Sequence, residues 1–501
     1  MADIFSDIYA RSGSLDIAVF GQERSTFTEL FDRVDAVADI LGRHGVSRRV
    51  PVAVALPHSL ANIVAILAIR RLGGTIVAVN YRAPASERDF IIGNTGSALL
   101  VAPRDLYSPE TSNLQAIDEV LGASVYQTGK RSTLLDDDDA LIIHTSGSTA
   151  RPKGVVLTTG NLAANVAAVA SSLRLSSSDR CALLTPPSFA YAFNQILTHL
   201  WVGGALLPWP HGVVDVASLL AALDQIGVSG LQANPSIFEM ILAKPELDWP
   251  PMSAVRYVMS GGQPLYSKLV AQLEVRFPNA SICSMYGLTE NTPRVSFGWL
   301  PKPIPPRATP WPVGQPVIGT QVRIRTETGE IAATNEVGEI EVAGDSLMKG
   351  YLNSPTAEPS RFEGGWFKTR DSGYIDLNGD LNLTGRLDNI FSVGHEKVSP
   401  EEIEDVLSQI AGMTEVAVSS VPHKLLGAVP VVLYVSDAEK MEMQVRAACS
   451  RALSRAKFPR YVIRVDTLPR TLYGKLDRRA LRQLADAVVP DGGRSDKAPE
   501  T

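Results

Sequence analysis

The sequence predicts an α/β protein: a large N-terminal domain of layered α/β subdomains with a β-rich subdomain, then a small α+β C-terminal domain. Three observations lead there. Apolar strand-like runs alternate with helix-like segments through about the first 300 residues, the pattern of parallel layers. A proline-rich stretch from Pro301 to Pro316 then breaks the alternation. A composition shift near Arg386 to Asn389 opens a final unit of about 100 residues.

Taken in order, Val52 to Leu56 reads as a buried strand, Asn62 to Leu72 as a helix and Thr75 to Val79 as a strand again. The acidic run Asp136 to Asp139 reads as a solvated loop. Apolar runs from Ala140 to Ile143 and from Val155 to Leu157 bracket a polar loop. The Pro301 to Pro316 stretch must be irregular, because proline removes donors from any ladder. Gln321 to Arg325 and Glu339 to Val342 have strand character, with a turn from Thr326 to Gly329. In the final unit Ser399 is placed to cap a helix, Pro400 suits its first turn and Glu402 stands three residues after the cap. Ile403, Val406, Leu407 and Ile410 make one apolar stripe. Leu476, Ala480, Leu481 and Leu484 give a last helix an apolar face, which leaves Lys475 on the turn before it. From Val489 the chain is rich in glycine, proline and charge, and disorder is expected.

A chain of 501 residues has room for roughly two to four domains. Its 45% hydrophobic and 20% charged content is that of a soluble globular protein with a sizeable core. The net charge of −6, without a long basic block, argues against nucleic acid as a partner. No apolar stretch reaches bilayer-spanning length, and the N-terminus lacks a basic start followed by an apolar core. Cys181, Cys283 and Cys449 are far apart, which fits a reducing compartment and neither a zinc cluster nor a disulfide framework. The cytoplasm is the expected location.

The most informative run is Thr145-Ser146-Gly147-Ser148-Thr149-Ala150-Arg151-Pro152-Lys153-Gly154. Backbone N–H groups, hydroxyls and one lysine between two strands suit an anion such as a nucleotide polyphosphate. The alternative is an ordinary polar hairpin loop with a solvated lysine. It is not a Walker A sequence, since Pro152 precedes the lysine and Gly154 follows it.

The run resembles the signature of the adenylate-forming superfamily, which comprises acyl- and aryl-CoA synthetases, peptide-synthetase adenylation domains and beetle luciferases. It departs at Ala150, where glycine is usual. The resemblance continues in order from about residue 25 to 485. Met285-Tyr286-Gly287-Leu288-Thr289-Glu290 looks like the family's Tyr-Gly-x-Thr-Glu motif, and Ser260-Gly261-Gly262-Gln263-Pro264 its small-residue turn beside the adenine. Asp371, in Phe367-Lys368-Thr369-Arg370-Asp371, matches a Thr-Gly-Asp in which Arg370 replaces glycine. An arginine there is strained by about 1 kcal/mol if the position needs positive φ. Gly385-Arg386-Leu387-Asp388 and Thr471-Leu472-Tyr473-Gly474-Lys475-Leu476-Asp477 match the hinge and the lysine near the C-terminus. Val393-Gly394-His395-Glu396 resembles the loop that lines the thiol tunnel, with His395 where a second glycine is frequent.

The resemblance implies a mobile C-terminal domain and a two-step reaction: a carboxylate and ATP give an acyl-adenylate and pyrophosphate, and a thiol then takes the acyl group. It implies that Thr145, Ser146, Gly147, Ser148, Thr149 and Lys153 cradle the phosphates. Gly261, Gly262, Gln263, Tyr286 and Gly287 would receive the nucleotide, with Asp371 and Arg386 at the ribose or phosphate. Thr289 would bond a phosphate oxygen, and Glu290 with Thr149 would hold Mg²⁺. Lys475 would bridge the carboxylate and the α-phosphate, Asp388 would be the hinge, and Gly394 and His395 would line the thiol tunnel.

The acid site would be formed by Phe189, Ala190, Tyr191, Asn194 and Gly287. The stretch Pro186 to Asn194 has no acidic residue for an α-ammonium group, which disfavours an amino acid. With Ile237 and Phe238 it points to a largely apolar acid. The domains implied are 1–386, a hinge at 387–388, a small domain at 389–486 and a tail at 487–501. The leading acceptor is coenzyme A. A carrier-protein phosphopantetheine is the alternative, and a nucleotide-binding protein without ligase activity the second. Oligomeric state is not readable.

Overall fold

A computed structural model describes the chain except residues 1–2, 22–23, 108–113, 131–134, 146–151, 211–214, 244–248, 308, 354–360, 395, 439–440, 472–474 and 490–501. The chain divides into two compact units. The first comprises residues 1–302, 313–322 and 342–368, and the second residues 303–312, 323–341 and 369–501.

Two large sheets organise the first unit. One has nine strands, with Gly230–Ala233, Tyr257–Gly261 and Ser281–Gly287 running parallel side by side. Arg294–Trp299 then pairs antiparallel with Ser281–Gly287. The other has eight strands, in which Pro51–Val54, Thr75–Ala78 and Asp139–Thr145 run parallel. The residues of Pro51–Val54 and Thr75–Ala78 are buried throughout, as expected of parallel strands covered on both faces. The helix between them, Leu60–Arg71, starts where Ser59 accepts from the Asn62 amide. This strand–helix–strand unit is the one read from the sequence.

A five-stranded sheet contains Thr320–Arg325, Gly338–Gly344, Trp366–Ile375, Phe362–Glu363 and Leu381–Arg386. In the second unit, a further sheet is built on the long antiparallel pair Glu415–His423 and Gly427–Val435. The helices Pro400–Leu407 and Met441–Ala452 contribute to one apolar cluster and Arg478–Val488 to another. The fold is mixed α/β with a large N-terminal and a small C-terminal domain.

Several local expectations need correction. Asp139 is not in a solvated loop: it is 4% exposed, begins a strand, and accepts from Lys349 Nζ at 2.7 Å. Lys349 also bonds Asp136, so the acidic run is partly neutralised by a lysine more than 200 positions away. Within the proline-rich stretch, Gln315–Pro316 forms a short edge strand on Arg294–Trp299, a position where proline's missing donor is tolerated. The helix after Ser399 starts where expected, but Ser399 Oγ donates to Glu401 Oε2 at 2.8 Å instead of accepting from the backbone. An ionised carboxylate is the stronger partner. That helix ends at Leu407, so Ile410 packs from the turn beyond it. The last helix runs to Val488 and Val489 is buried, so order passes the expected start of the tail at 487. The rest of the tail lies outside the described residues.

Candidate active site

The phosphate-loop strands, Asp139–Thr145 and Lys153–Thr158, pair antiparallel with Thr145 opposite Lys153. Ser146, Gly147, Ser148 and Thr149 lie outside the described residues. Lys153 Nζ sits 5.3 Å from the centre of the Tyr351 ring. Tyr351 Oη donates to Glu290 Oε1 at 2.7 Å. Gly350–Tyr351 is a two-residue strand on Lys153–Thr158, with Tyr351 opposite Val155. Glu290 lies in the 3₁₀ turn Thr289–Asn291, whose backbone accepts from the Met348 amide at 2.7 Å. Three distant segments thus bring Lys153, Tyr351 and Glu290 together. The sequence did not point to Tyr351, because only strand pairing carries it to Glu290.

A partly buried carboxylate with one oxygen oriented by a phenol fits Mg²⁺, which takes one or two protein carboxylates and completes its shell with phosphate and water oxygens. Among the described residues no cluster of three or more His, Cys, Asp or Glu side chains is placed to hold a metal alone.

Gly261 and Gly287 end the parallel strands Tyr257–Gly261 and Ser281–Gly287 at their carboxyl side, where open α/β sheets bind ligands. Neither position has room for a side chain. A Cβ on Gly261 would come 2.3 Å from Met285 Cε, and one on Gly287 would come 2.1 Å from the Pro293 carbonyl oxygen. Gly262 follows with φ +81°. Gln263 accepts from Ser236 Oγ at 2.8 Å, which ties this turn to the helix Pro235–Leu242. Tyr286 is buried.

The expected acid site begins at Phe189, the N-cap of the helix Ala190–Val202. Ala190 and Asn194 are buried, and Asn194 is 2% exposed. Asn194 Nδ2 donates to Asn165 Oδ1 at 3.0 Å, and Asn165 in turn donates to the carbonyls of Asn291 and Arg294 at 3.2 and 3.0 Å. Asn194 therefore supports the backbone just after Glu290. Tyr191 packs face-on against the Arg294 guanidinium, 3.7 Å from the ring centre. Arg294 is fully buried. The sequence reading, which expected apolar walls, missed it. The available signal was one arginine opening an otherwise uncharged strand, Arg294–Trp299.

In the second unit Asp371 stands opposite Arg386 in adjacent antiparallel strands, and Arg386 Nε is 3.0 Å from Asp371 Oδ1. Arg370 has φ +66°, the left-handed conformation in which the usual glycine is at ease. Its Nε pairs with Asp388 Oδ1 at 3.2 Å. Lys475 precedes the helix Arg478–Val488. Its carbonyl accepts from the Thr471 amide at 2.8 Å, and Asp477 caps the helix through the amides of Arg479 and Ala480. Arg478 anchors the same turn with bonds of 2.6 and 2.8 Å to the two oxygens of Glu404.

Lys475 is within electrostatic reach of both Arg386 and Asp371. Desolvation is the largest cause that lowers its pKa from the ordinary lysine value; the Arg386 charge adds to this and Asp371 opposes it. The residue is nonetheless solvent-exposed, so protein crowds the ammonium without covering it. Gly394 takes φ +62° in the turn between Phe391–Val393 and Glu396–Val398, its amide donating to the Leu426 carbonyl at 2.8 Å. His395 lies outside the described residues.

Comparisons with known proteins agree with this architecture. Residues 9–352 match the AMP-binding enzyme family and residues 402–475 match the AMP-binding enzyme C-terminal domain. The chain is 29% identical over 493 residues to an oxalate–CoA ligase of Arabidopsis thaliana, covering 93% of this chain and 95% of that protein. It is 28% identical over 490 residues to a 4-chlorobenzoate–CoA ligase of an Arthrobacter species, covering 93% and 91%. The o-succinylbenzoate coenzyme A synthetase of Bacillus subtilis, solved with ATP and magnesium, superposes with a TM-score of 0.83 at 24% identity over 96% of this chain and 99% of that one. The chain belongs to the AMP-binding enzyme family, within the adenylate-forming superfamily that its motifs resemble.

Proposed function

We propose that the protein is an ATP-dependent acid–CoA ligase that activates a non-amino carboxylic acid as its acyl-AMP and transfers the acyl group to coenzyme A. The observation that carries the reading is the grouping of Lys475 with Asp371 and Arg386 in the second unit. An arginine paired with one carboxylate and a lysine within electrostatic reach of both suit a nucleotide whose ribose hydroxyls bond Asp371 and whose α-phosphate needs positive charge. The relatives support CoA as the acceptor. Their names span an oxalate, a fatty-acid and a chlorobenzoate ligase, so they do not choose the acid.

In this reading the loop from Thr145 to Lys153 holds the phosphates and Thr289 bonds one phosphate oxygen. Tyr286, with Gly261, Gly262 and Gln263, receives the adenine. Phe189, Ala190, Tyr191 and Gly287 bound the acid, while Asn194 supports the wall behind it. Glu290, with Thr149, would hold magnesium, which supplies charge neutralisation at the phosphates. Lys475 aligns the carboxylate with the α-phosphorus. The carboxylate oxygen forms the new P–O bond as the bond to pyrophosphate breaks. The thiolate sulfur then attacks the acyl carbon, AMP leaves with the bridging oxygen, and the thiol proton passes to solvent.

Lys475 and Gly394 serve successive steps from one small domain, 389–486, that turns about 387–388 at Asp388. Gly394 and His395 line the thiol path in the second step. Residues 1–386 form the large domain, and the tail follows the last helix, which ends at Val488. We place the protein in the cytoplasm, consistent with three buried free cysteines and with no described helix long and apolar enough to cross a membrane. The test is pyrophosphate release on adding acids, followed by thioester analysis. Thioester on a holo carrier protein but not on free CoA would reject the acceptor. Binding of ATP without release for any acid would reject the ligase.

A further inference from the structure

Arg294 is fully buried, and among the described residues only Nη2 of its guanidinium has an acceptor, Gln232 Oε1 at 2.8 Å. Nε and Nη1 have none, and the buried Tyr191 oxygen beside the guanidinium is also unpartnered. A guanidinium keeps its charge in proteins. Burying it without a counter-charge is strongly unfavourable. Other buried or half-buried arginines find acceptors for their guanidinium: Arg478 in Glu404 and Glu401, Arg323 and Arg325 in Glu341, Arg256 in Asp179, and Arg88, which has no carboxylate partner, in the Tyr107 hydroxyl and the Ala83 carbonyl. Among the described residues no carboxylate pairs with Arg294, and the nearby phenol of Tyr191 is kept neutral by burial.

Its position is equally informative. Arg294 lies directly opposite Gly287 across the antiparallel pair, and opposed residues present their side chains to the same face. The Pro293 carbonyl fills the space a Cβ on Gly287 would take, and Tyr191 covers the guanidinium from the helix Ala190–Val202. Tyr191 and Gly287 are the residues assigned above to the acid.

We propose that Arg294 receives a second anionic group on the acid substrate, so that the enzyme selects dicarboxylic acids. This rests on the ligase reading and on its assignment of the acid site. The reacting carboxylate goes to the α-phosphate, and the distal carboxylate supplies the counter-charge that Arg294 lacks.

The experiment measures pyrophosphate release by the full-length protein for matched acids: glutarate against pentanoate, and terephthalate and isophthalate against 4- and 3-methylbenzoate. At least one diacid is expected to exceed its monoacid partner in kcat/KM by about 10- to 100-fold, the range for hydrogen bonds to a charged group. Arg294→Met should then bring that ratio toward one, with Arg294→Lys in between. Monoacids preferred in every pair, or a ratio unchanged by Arg294→Met, would overturn the inference while leaving the ligase reading standing. If Arg294→Met does not fold, the wild-type ratios decide alone. No release with any acid, while ATP still binds, would instead sink the ligase reading and this inference with it.

Discussion

Replacing Tyr351 with phenylalanine removes one oxygen atom and should weaken the use of magnesium. The phenol donates at 2.7 Å to Glu290 Oε1, a short bond to an ionised acceptor. Such bonds contribute about 1.5–3 kcal/mol. Glu290 is only partly buried, so water recovers part of the loss and the lower end applies. About 1.4 kcal/mol corresponds to roughly tenfold. The expected result for Tyr351→Phe is therefore a rise of about tenfold in the magnesium concentration for half-maximal pyrophosphate release. The melting temperature should barely move, because the ring stays in place. Tyr351→Ala also removes the face that Lys153 lies over at 5.3 Å. A partly exposed cation–π contact is worth about 0.5–1 kcal/mol, so the KM for ATP should rise by a further factor of about two to five. An unchanged magnesium profile in Tyr351→Phe would show that Tyr351 does not orient Glu290 for the metal, and would refute the reasoning.

Three further outcomes are expected. The lowered pKa of Lys475 means that its charge, and with it adenylation, is lost at a lower pH than for an ordinary lysine. Asp371→Asn should move that alkaline limb further down and Arg386→Met should move it up; a limb fixed in both variants would remove Lys475 from the titration. Glu341 is fully buried between Arg323 and Arg325 at 2.6 and 2.8 Å, so Glu341→Ala should cost about 3 kcal/mol of stability in denaturant unfolding, and a loss under 1 kcal/mol would contradict the pairing. Gly394→Val forces a β-branched residue to φ +62°, a strain of about 1–2 kcal/mol; thioester formation from synthetic acyl-AMP should fall more than adenylation, and an equal fall would argue against a role in the thiol path.

Much of the fold was legible because it is written locally. The uniformly apolar runs on either side of Leu60–Arg71 carry a strand–helix–strand unit in their own spacing. The Gly261 turn was legible as a small-residue turn, and a Cβ on Gly261 would meet the Met285 side chain. Arg370 was legible as a residue in a glycine's place, and its φ of +66° bears that out. What escaped depends on pairing between distant segments. Tyr351 reaches Glu290 only because Gly350–Tyr351 adds to the edge of the phosphate-loop strands. Asp139 is buried only because Lys349 arrives from the same segment. Arg294 reads as an ordinary polar residue until the strand register sets it opposite a glycine and under Tyr191.

The two-step account stands or falls on Lys475. In Lys475→Ala the first step, followed as pyrophosphate release with the preferred acid, should fall by about 10²–10³-fold or more, the loss expected for one preorganised charge at a transition state. Thioester formation by the same variant from synthetic acyl-AMP and CoA should stay near the wild-type rate. Equal loss of both steps would contradict a small domain that presents Lys475 for one reaction and Gly394 for the next.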